Sequence, residues 1–485
     1  MIDLLDRALD AIWEVASRAR KLALRGWVGL SRHHQPSQRI AVLTALFALL
    51  LTAGFSANLS STHGSQPRAA QASLARVQIT STMTPTPQPT LQPTPLPVVP
   101  KTLADLADDY IATMSLDDKL GQLFIPTFLC CGYTKNNATM VEKLHLGGFI
   151  VYAANLTSAQ QAHALIASAK AHSVIPPLVT LDEEGGGVDR LKDIYGPRPS
   201  ARSIANSRST SYATSQGAQV ARDMATLGFN VNFAPDIDVQ LVRGPDLGSR
   251  NFGTDPQTVT TYAGAYLTGL QNNGVVGTLK HFPGLGAATI DAHAGLPVIN
   301  RTRQQIEDVE LAPYRALLAT GQVGAIMSTD LLMPALDPNL PAELSPTIID
   351  GVLRHDLGFD GVVITDALYM DGVTQRYSMN EAGVLAILAG CDMLEGPMTP
   401  GQMTGMINAL KAALASGRLT EARINLSVQR ILVLKMRMGL IPVPLSNLAP
   451  APGIGSMQPV DGPGLVTSIA PTVPAARNLR RQPLP

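Results

Sequence analysis

The chain has 485 residues, with 37 basic and 37 acidic side chains and a formal net charge of zero at neutral pH. Charged residues make up only 15%, below the roughly 25% usual in soluble proteins, and without a basic excess a phosphate-tracking nucleic-acid partner is excluded. The three cysteines, Cys130, Cys131 and Cys391, are odd in number and two are adjacent, which excludes a disulfide framework or a Cys-rich zinc site. They are expected to be small buried apolar residues, a vicinal Cys130–Cys131 bond being the alternative.

Residues 1–39 carry seven Arg or Lys side chains, among them Arg18, Arg20, Lys21, Arg25, Arg32 and Arg39, against four acidic ones. Ile40 to Ala57 follow as a run without charge, close to the minimum for a membrane-crossing helix. The charge bias before it predicts a cytoplasmic N-terminus and an exported remainder. A cleaved signal peptide is the alternative, but the preceding segment is long and Phe55-Ser56-Ala57 is a poor cleavage site. The expectation is therefore a single-pass anchor over residues 40–57. Residues 58–101 turn polar and then proline-rich (TPTPQPTLQPTPLPVVP), the composition of an extended spacer. Residues 442–485, rich in Pro, Gly and Ala, read as a low-complexity tail.

Between these segments, over residues 102–441, short apolar runs alternate with helix-length patterns. The runs are QLFIPTF (from Gln122), GGFIVYA (Gly147), PLVTLDEE (Pro177), VNFAPDIDV (Val231), VGTLKHF (Val276), AIMSTDLLM (Ala325), GVVITDAL (Gly361) and CDMLEGP (Cys391). Near-continuous apolar runs suit parallel strands buried on both faces, and eight strand–helix units predict an α/β fold closed into one (β/α)8 TIM-type barrel. An open doubly wound sheet is the competing architecture; no Gly-rich phosphate fingerprint follows the first run.

In such a barrel the loops after the strands converge on one mouth. Asp182 ends LVTL, Asp236 and Asp238 end VNFAP, Lys280 and His281 end VGTL, Asp330 ends AIMST and Asp366 ends GVVIT. Charges gathered at a narrow mouth must be paired or used. Beyond Lys280 and His281 the chain continues through a Gly-Pro-Gly-type loop to Asp291-Ala292-His293. An Asp two residues before a His can hold the imidazole in one tautomer and raise its proton affinity, making a general acid/base; a hydrogen bond that only stabilises the loop is the plainer reading. Metal binding by His281, His293, Asp291 and Asp366 has no supporting ligand spacing, and Lys280 would set a positive charge beside the ion. No metal or cofactor is expected.

LDEEGGGVDRL (from Leu181), FNVNFAPDIDV (Phe229), GSRNFGTDP (Gly248), KHFPGLG (Lys280) with DAHAGLP (Asp291), LSPTIIDGVLRHDLGFDGVVITDALYM (Leu344) and AGCDMLEGP (Ala389) together resemble glycoside hydrolase family 3, in its β-N-acetylhexosaminidase branch. The resemblance runs in order across nearly all of residues 102–441. It implies that Asp366 is a nucleophile forming a covalent glycosyl intermediate, that His293 is the acid/base with Asp291 orienting it, and that Asp182, Arg250, Lys280 and His281 grip the terminal sugar. Most retaining glycosidases use two carboxylates. An imidazole, titrating near about 6.5, suits giving and taking a proton near neutrality, and being uncharged as a base it would let phosphate compete with water for the intermediate.

The sequence departs from the family pattern at Gly187 (usually Arg), Leu285 (usually His), Ala292 (usually Ser), Asp330 (usually His) and Ala367 (usually Asp). These lie in or beside the mouth and bear on substrate preference more than on reaction type. The implied activity is that of a retaining exo-β-N-acetylglucosaminidase acting on peptidoglycan fragments or chito-oligosaccharides outside the membrane. The alternatives are a β-glucosidase or β-xylosidase of the same family, whose usual acid/base domain the tail after Ile441 does not offer, and a catalytically inactive wall-binding protein.

Overall fold

The computed structural model describes residues 101–443, apart from 130, 245 and 246. The segments 1–39, 40–57, 58–100 and 444–485, with their expected cytoplasmic, membrane, linker and tail roles, lie outside the described residues. Among the described residues no helix is long and apolar enough to cross a membrane.

Each of the eight apolar runs contains a strand: β1 (Phe124–Ile125), β2 (Gly148–Ile150), β3 (Leu178–Leu181), β6 (Val231–Asn232), β7 (Val276–Phe282), β8 (Ala325–Ser328), β9 (Val362–Thr365) and β10 (Leu394–Glu395). β2, β3, β6, β7, β8 and β9 form one six-stranded parallel sheet in that order, and β1 pairs in parallel with β10. Single parallel bridges link Thr127 to Ile150 and Ile364 to Met393, one at each edge of the larger sheet. Nearly every strand residue is buried, as expected where helices cover one face and strand side chains fill the other.

Helices follow the strands because the connecting segments supply starts as well as apolar faces. Ser158, Ser209, Asp255, Ser378, Thr399 and Thr420 each accept a hydrogen bond from the third residue of the helix they open, occupying a donor the helix cannot use. Aromatic pairs pack in the core, with Phe128 stacked on Phe149 at 4.1 Å and Phe282 edge-on to Tyr314 at 5.0 Å between ring centroids.

Two details differ from the sequence expectation. The run PLVTLDEE ends as a separate small hairpin, β4 (Glu183–Gly185) against β5 (Val188–Asp189), because Gly185 and Gly186 turn with φ of 82° and 62°, values that only glycine adopts freely. Of the cysteines, Cys391 is buried as expected, but Cys131 is free and exposed, since the chain after β1 leaves the core before entering the helix Lys135–Glu142.

Candidate active site

The ionisable side chains named from the sequence fall at the C-terminal ends of the parallel strands. Lys280 and His281 lie inside the last turn of β7 rather than beyond it, since that strand runs to Phe282. The Lys280 side chain, 2% exposed, sets its Nζ 2.7 Å from Asp182 Oδ1 and 2.7 Å from Glu184 Oε1. Glu184 in turn accepts both Nε and Nη2 of Arg250 at 2.9 Å, a two-point pairing of planar groups. Arg250 Nη2 also lies 3.3 Å from His281 Nε2, while His281 Nδ1 meets Asp238 Oδ2 at 2.8 Å. Asp182, Arg250, Lys280 and His281 are thus brought into one connected polar chain.

Of the residues that complete this chain, Asp238 is named from the sequence only as an acid after its strand, with no site role, and Glu184 is not singled out. The signal was there in the third acid of LDEEG and the second of PDIDV. Buried Lys280 and half-buried Arg250 require Glu184, and buried His281 is satisfied by Asp238.

Burial alone would push Asp182 up, but the Lys280 and Arg190 charges outweigh it and hold it below the usual carboxylate range. Burial likewise opposes the charge on Glu184, and Arg250 with Lys280 reverse the effect and lower it strongly. Burial would depress His281, yet its hydrogen bond to Asp238 leaves it above its ordinary value. The site therefore holds a fixed pattern of donors and acceptors, suited to hydroxyl groups. The carboxyl and imidazole of Asp236, Asp238 and His281 approach closely enough to resemble a metal trio. Asp238 is already occupied by His281 and by the Leu285 backbone N–H at 2.6 Å, and Arg250 stands beside the imidazole, so the arrangement is a hydrogen-bonded support.

Asp366, directly after β9, is half-buried and held from several sides. Its Oδ2 accepts from Thr329 Oγ1 at 2.9 Å and its Oδ1 from the Ala367 backbone N–H at 2.8 Å. Its own N–H donates to Ser328 O at 2.7 Å and to Glu343 Oε2 at 3.0 Å. Burial and the neighbouring Asp330 and Asp366 push the Glu343 carboxyl well above its ordinary range.

Asp291 and His293 sit on the loop after β7. His293 Nδ1 and its backbone N both lie 2.8 Å from Asp291 Oδ1, leaving Nε2 outermost, and the imidazole is 63% exposed. The loop is fastened to the one carrying Asp366: Ala292, Ala367 and Met370 form a buried apolar cluster, and Gly372 N–H donates to Ala292 O at 3.2 Å. The residues next in sequence to Asp366 and His293 therefore belong to one packed cluster.

Residues 115–434 match the family profile described as Glycosyl hydrolase family 3 N terminal domain. The β-hexosaminidase LpqI of Mycobacterium tuberculosis (strain ATCC 25618 / H37Rv) is 34% identical over 351 residues, covering 70% of this chain and 87% of the relative. Among solved structures, a glycoside hydrolase family 3 β-N-acetylglucosaminidase from Paenibacillus sp. str. FPU-7 superposes with a TM-score of 0.66 at 32% identity, covering 70% of this chain and 66% of that one. The M. tuberculosis LpqI structure superposes with a TM-score of 0.63 at 33% identity, covering 70% and 98%.

Proposed function

This chain belongs to glycosyl hydrolase family 3, and from that premise we propose that it is a retaining exo-β-N-acetylglucosaminidase that removes terminal β-linked N-acetylglucosamine through a covalent glycosyl-aspartate. The observation that carries the reading is the fastening of the Asp291–His293 loop onto the Asp366 loop beside the network of Asp182, Glu184, Arg250, Lys280 and His281. A carboxylate, an imidazole and a hydroxyl-binding network then share one mouth.

In this scheme the buried network grips the terminal sugar and presents its anomeric carbon to Asp366. An Asp366 oxygen forms the new bond to that carbon as the bond to the leaving oxygen breaks, and His293 Nε2 gives its proton to the leaving oxygen. The aglycone departs. His293, now neutral and oriented by Asp291, takes a proton from water, whose oxygen displaces Asp366 from the same carbon. Two displacements at one carbon restore the original configuration.

Further support concerns the architecture and setting. The parallel strands pair in the cyclic order β1-β2-β3-β6-β7-β8-β9-β10 when the single bridges are counted, which favours a complete (β/α)8 barrel over an open sheet. The uncharged run Ile40 to Ala57 and the proline-rich stretch after it favour a membrane-tethered enzyme acting outside the cell on peptidoglycan fragments or chito-oligosaccharides.

The reading is tested with the full-length chain and a panel of aryl β-glycosides that differ only at C2, acetamido against hydroxyl. The proposal expects kcat/KM for the acetamido substrate to exceed that for the glucoside at least tenfold; equal rates or preference for the hydroxyl would favour a β-glucosidase. Running the same assay in phosphate buffer and resolving free sugar from sugar 1-phosphate identifies the acceptor.

A further inference from the structure

Between Asp182 at the end of β3 and Asp366 at the end of β9, three polar side chains converge that the displacement scheme does not use. Tyr152, just after β2, donates its hydroxyl to Glu395 Oε1 at 3.0 Å, and the same hydroxyl lies 3.2 Å from the hydroxyl of Tyr369. Glu395 closes β10 and is buried; its N–H donates to Thr365 Oγ1 at 3.0 Å and its carbonyl accepts Leu368 N–H at 3.1 Å, pinning it to the strand and loop that carry Asp366. Arg190 lies over the Tyr152 ring at 5.6 Å and 3.7 Å from Asp182. At the other end, half-buried Tyr369 packs on Ala292, Ala367 and Met370. The row thus reaches from the sugar-gripping carboxylate to the loop of Asp291 and His293.

Proton counting gives the row a direction. A phenol has one proton to donate. The Tyr152 proton goes to Glu395, so its contact with Tyr369 is satisfied only when Tyr369 donates. Both protons then point into the wall, and the Tyr369 oxygen keeps a lone pair for a group outside it.

Resting on the reading that a terminal sugar binds at this mouth, we propose that Tyr369 is a specificity-determining residue whose phenolic oxygen accepts a hydrogen bond from one O–H or N–H group of that sugar, with Tyr152 and Glu395 as positioning residues that hold the Tyr369 proton inward. A group offering only acceptors at that place on the sugar meets a lone pair and is rejected.

The test measures kcat/KM of the full-length chain and of Tyr369→Phe, Tyr152→Phe, Glu395→Gln and Glu395→Leu. The substrates are an aryl β-N-acetylglucosaminide, its 3-, 4- and 6-deoxy analogues, and the analogue lacking the acetamido group. Tyr369→Phe is expected to cost about tenfold on the parent, the worth of one hydrogen bond, and almost nothing on the single analogue that lacks the partner donor. Glu395→Gln, which keeps an acceptor for Tyr152, stays near the parent enzyme, while Glu395→Leu and Tyr152→Phe lose part of the tenfold with the same dependence on that analogue. Unchanged kinetics of Tyr369→Phe, or an equal cost on every analogue, would overturn the proposal. If the unaltered chain turns over none of these glycosides, the glycosidase reading fails separately. NMR titration of the unaltered and Tyr369→Phe chains with N-acetylglucosamine and its deoxy analogues then decides the proposal by the same single-analogue coupling, and absent or uniform binding overturns it.

Discussion

Asp366 has little freedom to turn. Thr329 and the Ala367 backbone each take one of its oxygens, and Ser328 and Glu343 hold its main chain. In the nucleophilic role proposed for it, a carboxylate fixed in this way gives up less orientational entropy on reaching the transition state. His293 is different. Asp291 hydrogen-bonds it and its ring is open to solvent, as would suit the acid/base role proposed for it, in which it meets a variable leaving oxygen and then a water. For His293→Ala, kcat on a glycoside with a poor leaving group should fall by about 10² to 10⁴-fold. With an activated aryl leaving group, which needs less protonation, the first step should lose far less; equal losses measured across a leaving-group series would remove the acid role.

At this same scale the sequence was partly legible. Side chains that follow an apolar strand, such as Asp182, Lys280 and Asp366, are exposed to inference by position alone. Glu184, Tyr152, Tyr369 and Glu395 are not, because each acts through a partner far away in the chain: Glu184 through Arg250, 66 positions on, and Tyr152 through Glu395, 243 positions on. Single-residue patterns carry no record of such pairings.

At the scale of elements, the loops after β6 and β7 are laced together by their backbones. Leu241 and Val242 N–H both point to Gly286 O, at 2.8 and 3.3 Å, and a Cβ on Gly286 would fall 1.8 Å from Val239 O. No flexible side chain stands there to give way, so Gly286→Ala must push the loop of Asp238 off the loop that follows β7. We expect unfolding stability to fall by about 2 kcal/mol or more and kcat/KM to fall with it. A Cβ on Gly187 meets nothing within 4 Å, so Gly187→Ala is the control that leaves the melting temperature nearly unchanged. Thermal unfolding of both variants checks the contrast; equal melting temperatures would show that the loops separate easily.

Apolar periodicity located all eight parallel strands because a strand buried on both faces tolerates almost nothing else. The β4–β5 hairpin escaped the same reading, since its segment EEGGGVD has neither an apolar run nor alternation. Its shape comes from left-handed glycines and from Glu183, whose Oε2 accepts the Arg190 and Leu191 N–H groups at 2.7 and 3.0 Å.

At the scale of the described body, residues 101–443, one buried cation stands apart from the catalytic mouth. Lys435, in the helix Glu421–Arg437, is fully buried and donates to Gln122 Oε1 at 2.7 Å. Burial pulls its ammonium down to about 7, from an ordinary 10.5. Because the folded value is the lower one, the unfolded chain binds more protons between those two values, and stability rises with pH across that window. Full integration would amount to on the order of 5 kcal/mol as an upper bound. Stability is lost as pH falls toward 7. Lys435→Met should therefore raise the melting temperature more at pH 6 than at pH 9. A gain independent of pH would mean that the lysine remains charged in the fold.

The assignment of a single carboxylate as the covalent partner is tested most directly by trapping it. The full-length chain is incubated with a 5-fluoro N-acetylglucosaminyl fluoride, which forms the glycosyl-enzyme readily and releases it slowly, then digested and analysed by tandem mass spectrometry. The account predicts one added sugar on the peptide containing Asp366 and none in Asp366→Ala. A sugar attached to another carboxylate, or steady turnover of the reagent by Asp366→Ala, would contradict it.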